Sequence, residues 1–404
     1  MKQITTSSAL LVLMLLLLPT LIKAQETPVV KDKKAYEFTM TKEVAHTPVP
    51  NQYRSGTCWS FSGVGLLEAE ILRKTGKTLD LSEMFVVRNA YSVKAEKYVR
   101  LHGNLNLSAG GGFSDVIMVM NNFGMVPESV YAGLVIGEEK HTHGEMDDVL
   151  KAYADGVLKN GNRKLTPVWH KGFDALLDTY LGEYPHEFEF EGKKYTPQSF
   201  SQSLGISTSD YVELTSFSHK PLYQPYIQEI PDNWMWSETY NITLDELIET
   251  IDAALMNGYA VAWGADVSEK GFSWKNGVAI VPEESVKDLS GTEKERWEAL
   301  TPAERKKSMF SFEEIVPEKN ITDEMRQKAY DNYETTDDHG MLLVGIATDQ
   351  NGHKYYKVKN SWGTEDHVYE GYLFASVPFV KYKTMNIAVH KDAIPKPIRK
   401  KLGL

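Results

Sequence analysis

Asn51–Gly65 reads NQYRSGTCWSFSGVG and contains Cys58, the only cysteine in 404 residues. From Thr57 onward Phe61, Val64, Leu67 and Ile71 recur at three- and four-residue steps as far as Gly76. That spacing predicts a helix closed by a C-terminal glycine, with Cys58 in its first turn. A lone cysteine is by default a small buried hydrophobe. At a helix N-terminus, however, the thiolate is favoured, and an imidazolium nearby would favour it further.

Of the eleven histidines, His339 stands out. TDDHGMLLVG (336–345) places it at the head of an apolar strand, and Asn360 follows twenty-one positions later in KNSWG (359–363), at the end of another. Adjacent strands would bring the two side chains together. The Asn360 amide oxygen would then hold one ring nitrogen of His339 and aim the other at the sulfur, with Trp362 shielding the bond from water. Gln52, six residues before Cys58, offers an amide NH₂ to an oxyanion, as does the Cys58 backbone N–H.

The rest of the chain sets the frame. TLDELIETIDAALMNG (243–258) has a capping box at Thr243 and Glu246, an apolar stripe and an Asn-Gly stop, so it predicts a helix. YAVAWGADV (259–267) reads as a strand, and SAGGGFSD (108–115) as a loop. HGMLLVGIAT, KYYKVKNSW, GYLFASV and MNIAVH, all beyond residue 338, predict antiparallel strands. Helices early and strands late point to an α+β fold. Two charged stretches, 132–241 and 269–331, read as structured elaborations of this core. The first shows helical signs in MDDVLKAYADGVLK and KGFDALLDTYLG.

Composition limits the function. With 42% hydrophobic and 25% charged residues the chain is globular. A net charge of -11, with basic residues clustered only at Lys396–Lys401, argues against nucleic acid. Residues 1–24 read as an export signal: Lys2, the apolar run Ala9–Leu18, Pro19 and a small residue at Ala24, with the mature chain starting at Gln25. The run is too short for a spanning helix, so no membrane contact is expected once it is removed, and a periplasmic or secreted location follows. One cysteine cannot form an internal disulfide, which leaves a free thiol in an exported protein.

Taken together, Q-x5-C-W, LSE at Leu81–Glu83, the Gly111-Gly112 pair, D-H-G at Asp338–Gly340 and NSWG at Asn360–Gly363 resemble the papain-like cysteine peptidases, in this order. The Cys-to-His interval is 339 − 58 = 281 residues, against roughly 130–150 in papain and the cathepsins. That excess, with YTPQSF, DYVEL and VPFVKY, is similar to the bleomycin hydrolase and aminopeptidase C branch, where insertions enlarge the papain core. The resemblance implies a two-lobed fold with largely helical insertions. A helical lobe (25–131) carries the Cys58 helix and glycine loop, an insertion follows (132–241), and a helix and strand (242–268) enter the β lobe. A second insertion (269–331) precedes the β lobe proper (332–404), which holds His339 and Asn360.

It further implies Cys58 as nucleophile, His339 as general base and then acid, Asn360 as its orienting residue and Gln52 as oxyanion donor. Gly111 and Gly112 would let an extended peptide hydrogen-bond alongside, with Trp362 near it. A thioester acyl-enzyme would be hydrolysed by water, with no metal or organic cofactor. The implied partners are peptide substrates and, as in that branch, five further copies in a hexamer. Branch members trim peptides from the amino end because a C-terminal arm enters the cleft. DAIPKPIRKKLGL (392–404) resembles the final helix without the arm, so endopeptidase or oligopeptidase activity is the alternative to aminopeptidase activity. A non-catalytic peptide binder of the same fold and an aminoacyltransferase are the remaining readings. HTHGE (141–145) has two spaced imidazoles but no third ligand, and reads as a solvated loop rather than a metal site. Asn106, Asn241 and Asn320 fit glycosylation acceptors, which matter only in a host that uses them.

Overall fold

The computed structural model describes residues 35–162, 164–285 and 291–404. The expected export signal therefore lies outside the described residues. In chain order the first elements are β1 (Thr39–Glu43), α1 (Cys58–Thr75), α2 (Glu83–Arg100), α3 (Phe113–Asn122), α4 (Gly144–Leu158), α5 (Val168–Leu181), β2 (Phe188–Phe190) and β3 (Lys193–Tyr195). Then come α6 (Pro197–Ser203), β4 (Tyr211–Thr215), β5 (Pro225–Ile227), β6 (Glu238–Asn241), α7 (Leu244–Met256), β7 (Val261–Ala265), β8 (Phe272–Ser273) and β9 (Val278–Ala279). The last are α8 (Gly291–Glu298), α9 (Pro302–Met309), α10 (Asp323–Asp331), β10 (His339–Thr348), β11 (Lys354–Lys359), β12 (Tyr372–Ser376), α11 (Val377–Lys383), β13 (Thr384–His390) and α12 (Lys396–Leu402).

The α1 helix starts on Cys58 itself and stops where Gly76 turns left-handed at φ 70°, its N–H returning to the Leu72 carbonyl. Val64 and Leu67 on its inner face are fully buried. The Thr243–Glu246 capping box opens α7 as its sequence predicts. Helices α1, α2 and α3 pack together with α4 and α5 and form the helical lobe.

The other lobe is one sheet in the order β5-β6-β4-β13-β7-β10-β11-β12-β9-β8, with β1 also paired to β10. At its centre β10 is saturated on both edges. One edge carries β11, and the other carries β7 over its first half and β1 over its second. Its side chains are buried on both faces of the sheet, which is why HGMLLVGIAT is apolar almost throughout. The antiparallel register is Leu342 opposite Lys359, so the start of β10 and the end of β11 meet at the same rim of the sheet. The turn between them is closed by the buried Asp349, whose carboxylate accepts from the Asn351 and His353 backbone N–H groups at 2.9 and 2.8 Å.

The stretch 132–241 is helical only as far as Leu181 and over the short α6. Its last third supplies β4, β5 and β6, and β4 lies antiparallel against β13 in the main sheet. Helix still outweighs strand in this stretch, and DYVEL adds a strand with both ends buried that extends the main sheet. The 269–331 stretch supplies β8 and β9 to the far sheet edge before α8, α9 and α10.

The two lobes meet where the rim of β10 touches the first turn of α1. A Cβ placed on Gly340 would lie 2.7 Å from Ser62 Oγ and 3.3 Å from both the Cys58 carbonyl oxygen and Trp59 Cα. Only a residue without a side chain lets β10 approach this closely. Gly340→Ala is therefore expected to cost about 1–3 kcal/mol by overpacking. The check is a lowered denaturant midpoint with an unchanged m-value; an unshifted midpoint would show that the seam is loose.

Candidate active site

Cys58 and His339 line one cleft of about 700 Å³, its open mouth included, together with Trp59, Gly111, Gly112 and Asp337. Cys58 as a residue is half-buried at the edge of that cleft. Backbone N–H groups of Gly340 and Trp59 both point at its sulfur. Asn360 and Trp362 follow β11 directly, so the strand register carries them to the first residues of β10. His339 Nε2 lies 2.7 Å from Asn360 Oδ1, which also accepts the Ser361 N–H at 2.8 Å. An amide oxygen only accepts, so Nε2 is the protonated nitrogen and Nδ1 is left to take a proton. The Trp362 ring stacks on the imidazole at 4.7 Å between centroids and 29°. Trp274 packs edge-on behind it at 5.0 Å.

Gln52 is buried and doubly tied to Ser361. Its backbone N–H donates to the Ser361 carbonyl at 2.8 Å, and its Oε1 accepts from the Ser361 hydroxyl at 2.6 Å. Its NH₂ is thus the uncommitted end of the amide, although Gln52 does not itself line the cleft. Ser361, which the sequence reading passed over inside NSWG, orients Gln52 and caps Asn360.

The two glycines of the loop differ. A Cβ on Gly111 would lie 2.4 Å from Asp115 Oδ2 and 2.9 Å from Trp59, so packing alone demands glycine there. At Gly112 the nearest atom would be Ser114 Oγ at 3.6 Å, so that position is open to the cleft side. From beneath, the buried Lys94 ammonium donates to the Ser108 carbonyl at 2.9 Å and to that of Gly110. Trp59 Nε1 donates to the Ala109 carbonyl at 2.9 Å. The loop is therefore held at both ends and from below.

The electrostatics set burial against the helix N-terminus. Burial pushes the Cys58 thiol up to about 12, the Gly340 and Trp59 N–H groups pulling against it and Asp337 and Asp232 pushing with it. Burial also holds His339 down at about 4, with the Asn360 bond and Asp338 pulling the other way. Burial thus works against a charge on either side chain and opposes the preference of the helix N-terminus for a thiolate. The base is ready to accept a proton at neutral pH, and the charge appears only when it does.

The reading of HTHGE is corrected. His141 and His143 are buried, because Arg54 N–H reaches the His141 carbonyl at 2.9 Å and draws the segment against the helical lobe. Their rings meet edge-on at 5.7 Å. No group of three ligating side chains occurs among the described residues. Nor is any helix among them long and apolar enough to cross a membrane.

Comparison with known proteins bears on this arrangement. A model of the papain family cysteine proteases matches residues 35–128, and one of the peptidase C1-like family matches residues 304–403. Aminopeptidase C of Streptococcus thermophilus is 22% identical over 88% of this chain and 83% of its own. Aminopeptidase G of Lactobacillus delbrueckii subsp. lactis is 23% identical over 86% of this chain and 82% of its own. The crystal structure of PepW from Lactobacillus rhamnosis superposes with a TM-score of 0.66 at 19% identity, over 90% of this chain and 84% of that one.

A base must be unprotonated to work, and a depressed imidazole stays so in more acid solution. The acid limb of kcat/KM on a neutral peptide amide is therefore expected near pH 4 rather than at the 6.5 of an unburied histidine. A limb near 6.5 in a pH–rate profile would show that His339 is not held in this environment.

Proposed function

We propose that this chain, a papain-like cysteine-type peptidase with aminopeptidase C relatives of the bleomycin hydrolase-like branch, acts as an exported exopeptidase on the amino ends of short peptides. The observation that carries the reading is the 2.7 Å bond from His339 Nε2 to Asn360 Oδ1, in a cleft that His339 shares with the only thiol of the chain.

In this mechanism the Cys58 sulfur attacks the scissile carbonyl carbon while its proton passes to His339 Nδ1. A neutral pair reaches its charged form within this step. Asn360 keeps the ring in the tautomer that can accept, and the imidazolium it steadies then protonates the departing amine as the C–N bond breaks. The Gln52 NH₂, freed by the tie of its carbonyl to Ser361, and the Cys58 N–H are the donors assigned to the oxyanion. Water, deprotonated by His339, attacks the thioester, and the acid product leaves with the thiol restored. Trp362 keeps competing water off the His339–Asn360 bond. Gly112, and Gly111 beside it, form the edge along which the peptide lies.

A second reading, cleavage inside longer peptides, has one observation in its favour. Residues 391–404 pack back on the body through Ile398 and Leu402, and none of them lines the cleft.

Two experiments decide. Cys58→Ala is expected to lose at least about 10⁴-fold in kcat, and iodoacetamide to abolish turnover by the native enzyme. A variant with ordinary turnover would rule out attack by the Cys58 sulfur, and the peptidase mechanism with it. Mass analysis of products from free and N-acetylated peptides of two to eight residues is expected to show single-residue or dipeptide release that acetylation blocks. Internal cuts on acetylated peptides would establish the second reading instead.

A further inference from the structure

One wall of the cleft takes no part in the chemistry at Cys58. Glu213, Gln228, Asp232 and Asp337 line it, and no lysine or arginine among the described residues lines the same cleft. Two of these groups are already satisfied. Glu213 accepts from the Ser114 N–H at 3.0 Å and the Asn386 amide at 3.1 Å, and Asp232 accepts from the Asn106 amide at 3.0 Å.

The other two are not. Gln228 is only 1% exposed, and its NH₂ is committed to the Met385 carbonyl at 3.1 Å. Its Oε1 is left buried without a donor among the described residues. The half-buried Asp337 likewise forms no hydrogen bond or ion pair with any described residue. Burial, with Asp232, Asp338 and Glu213 adding to it, pushes the Asp337 carboxyl up to about 8. Lys94 lies within electrostatic reach of Asp232, with two of its three donors on the Ser108 and Gly110 carbonyls. A wall of acceptors, two without donors, is complementary to a group that brings several N–H donors and whose positive charge favours the ionised form of Asp337.

We propose that this wall is a cation subsite, where an ammonium group of the bound peptide donates to Asp337 and to Gln228 Oε1 while the chain runs past Gly112 to Cys58. The subsite rests on the peptidase reading and names its substrate class: peptides that present an ammonium one or two residues from the bond cut. An α-amine and a lysine side chain share this chemistry.

Binding to the catalytically silent Cys58→Ala protein separates the sources. Four tetrapeptide amides, X-Ala-Phe-Ala with X lysine or norleucine and each free or N-acetylated, are titrated by calorimetry. Every peptide with an ammonium group at the recognised place is expected to bind at least tenfold more tightly than acetyl-norleucine. A gain for free norleucine assigns the α-amine, and a gain for acetyl-lysine alone assigns the side chain. Adding Asp337→Asn is expected to shrink the gap below threefold, and Asp337→Glu, which keeps an ionisable carboxyl, to retain most of it. Equal affinity for all four peptides, no binding of any, or a full gap in folded Asp337→Asn protein overturns the subsite. The peptidase reading fails separately: a binding gap without hydrolysis by the native enzyme removes the chemistry and leaves the subsite standing.

Discussion

Antiparallel pairing of β10 with β11 is the constraint on which the candidate site depends. Side chains twenty-one residues apart in sequence are brought to hydrogen-bonding distance because one strand begins where its neighbour ends. Pairing of β10 with β7 on the opposite edge fixes His339 against Ala265 and leaves the strand no freedom to slide. The glycine seam then lays the same rim against the first turn of α1. Cys58, His339 and Asn360 thus come from two layers whose relative placement is set by backbone hydrogen bonds and one missing side chain.

Magnitudes decide the resting charge of the pair. A helix N-terminus stabilises an anion by about 0.3–1 kcal/mol, and up to about 2 when partly buried. Raising the thiol from 9.0 to about 12 corresponds to on the order of 4 kcal/mol against the thiolate. Burial therefore wins over the helix, and the field of Asp337 and Asp232 deepens the bias. A cleft that carries carboxylates close to its sulfur is better suited to substrates that bring positive charge than to those that bring negative charge.

Much of this was legible in the chain. The three- and four-residue spacing after Thr57 gave α1 with its end at Gly76, and the Thr243 box gave α7. The four apolar runs beyond residue 338 gave β10 to β13. Other parts left no pattern to read. Helix α2 is buried around most of its circumference, so its polar residues point inward as well as its apolar ones, and no amphipathic stripe survives. The role of Ser361 as the tie for Gln52 depends on a contact between residues 309 positions apart, which local spacing does not encode. Asp337 stood in plain view within the DDHG run, but whether a carboxylate has a partner is a property of its surroundings. The buried histidines of HTHGE were misread for the same reason: polarity in sequence suggested water, and packing against the helical lobe decided otherwise.

The Asp349 turn has a consequence that reaches well beyond itself. Hairpin register is set by loop geometry, and a one-residue slip inverts the face on which every side chain of a strand emerges. By clamping the five residues between β10 and β11, a carboxylate at the opposite end of the strand pair governs whether Asn360 meets His339 at all. Chemistry at one pole of the sheet is thus calibrated from the other, and a single-residue insertion or deletion between Asp349 and His353 would set the turn against the register that β7 and β12 impose.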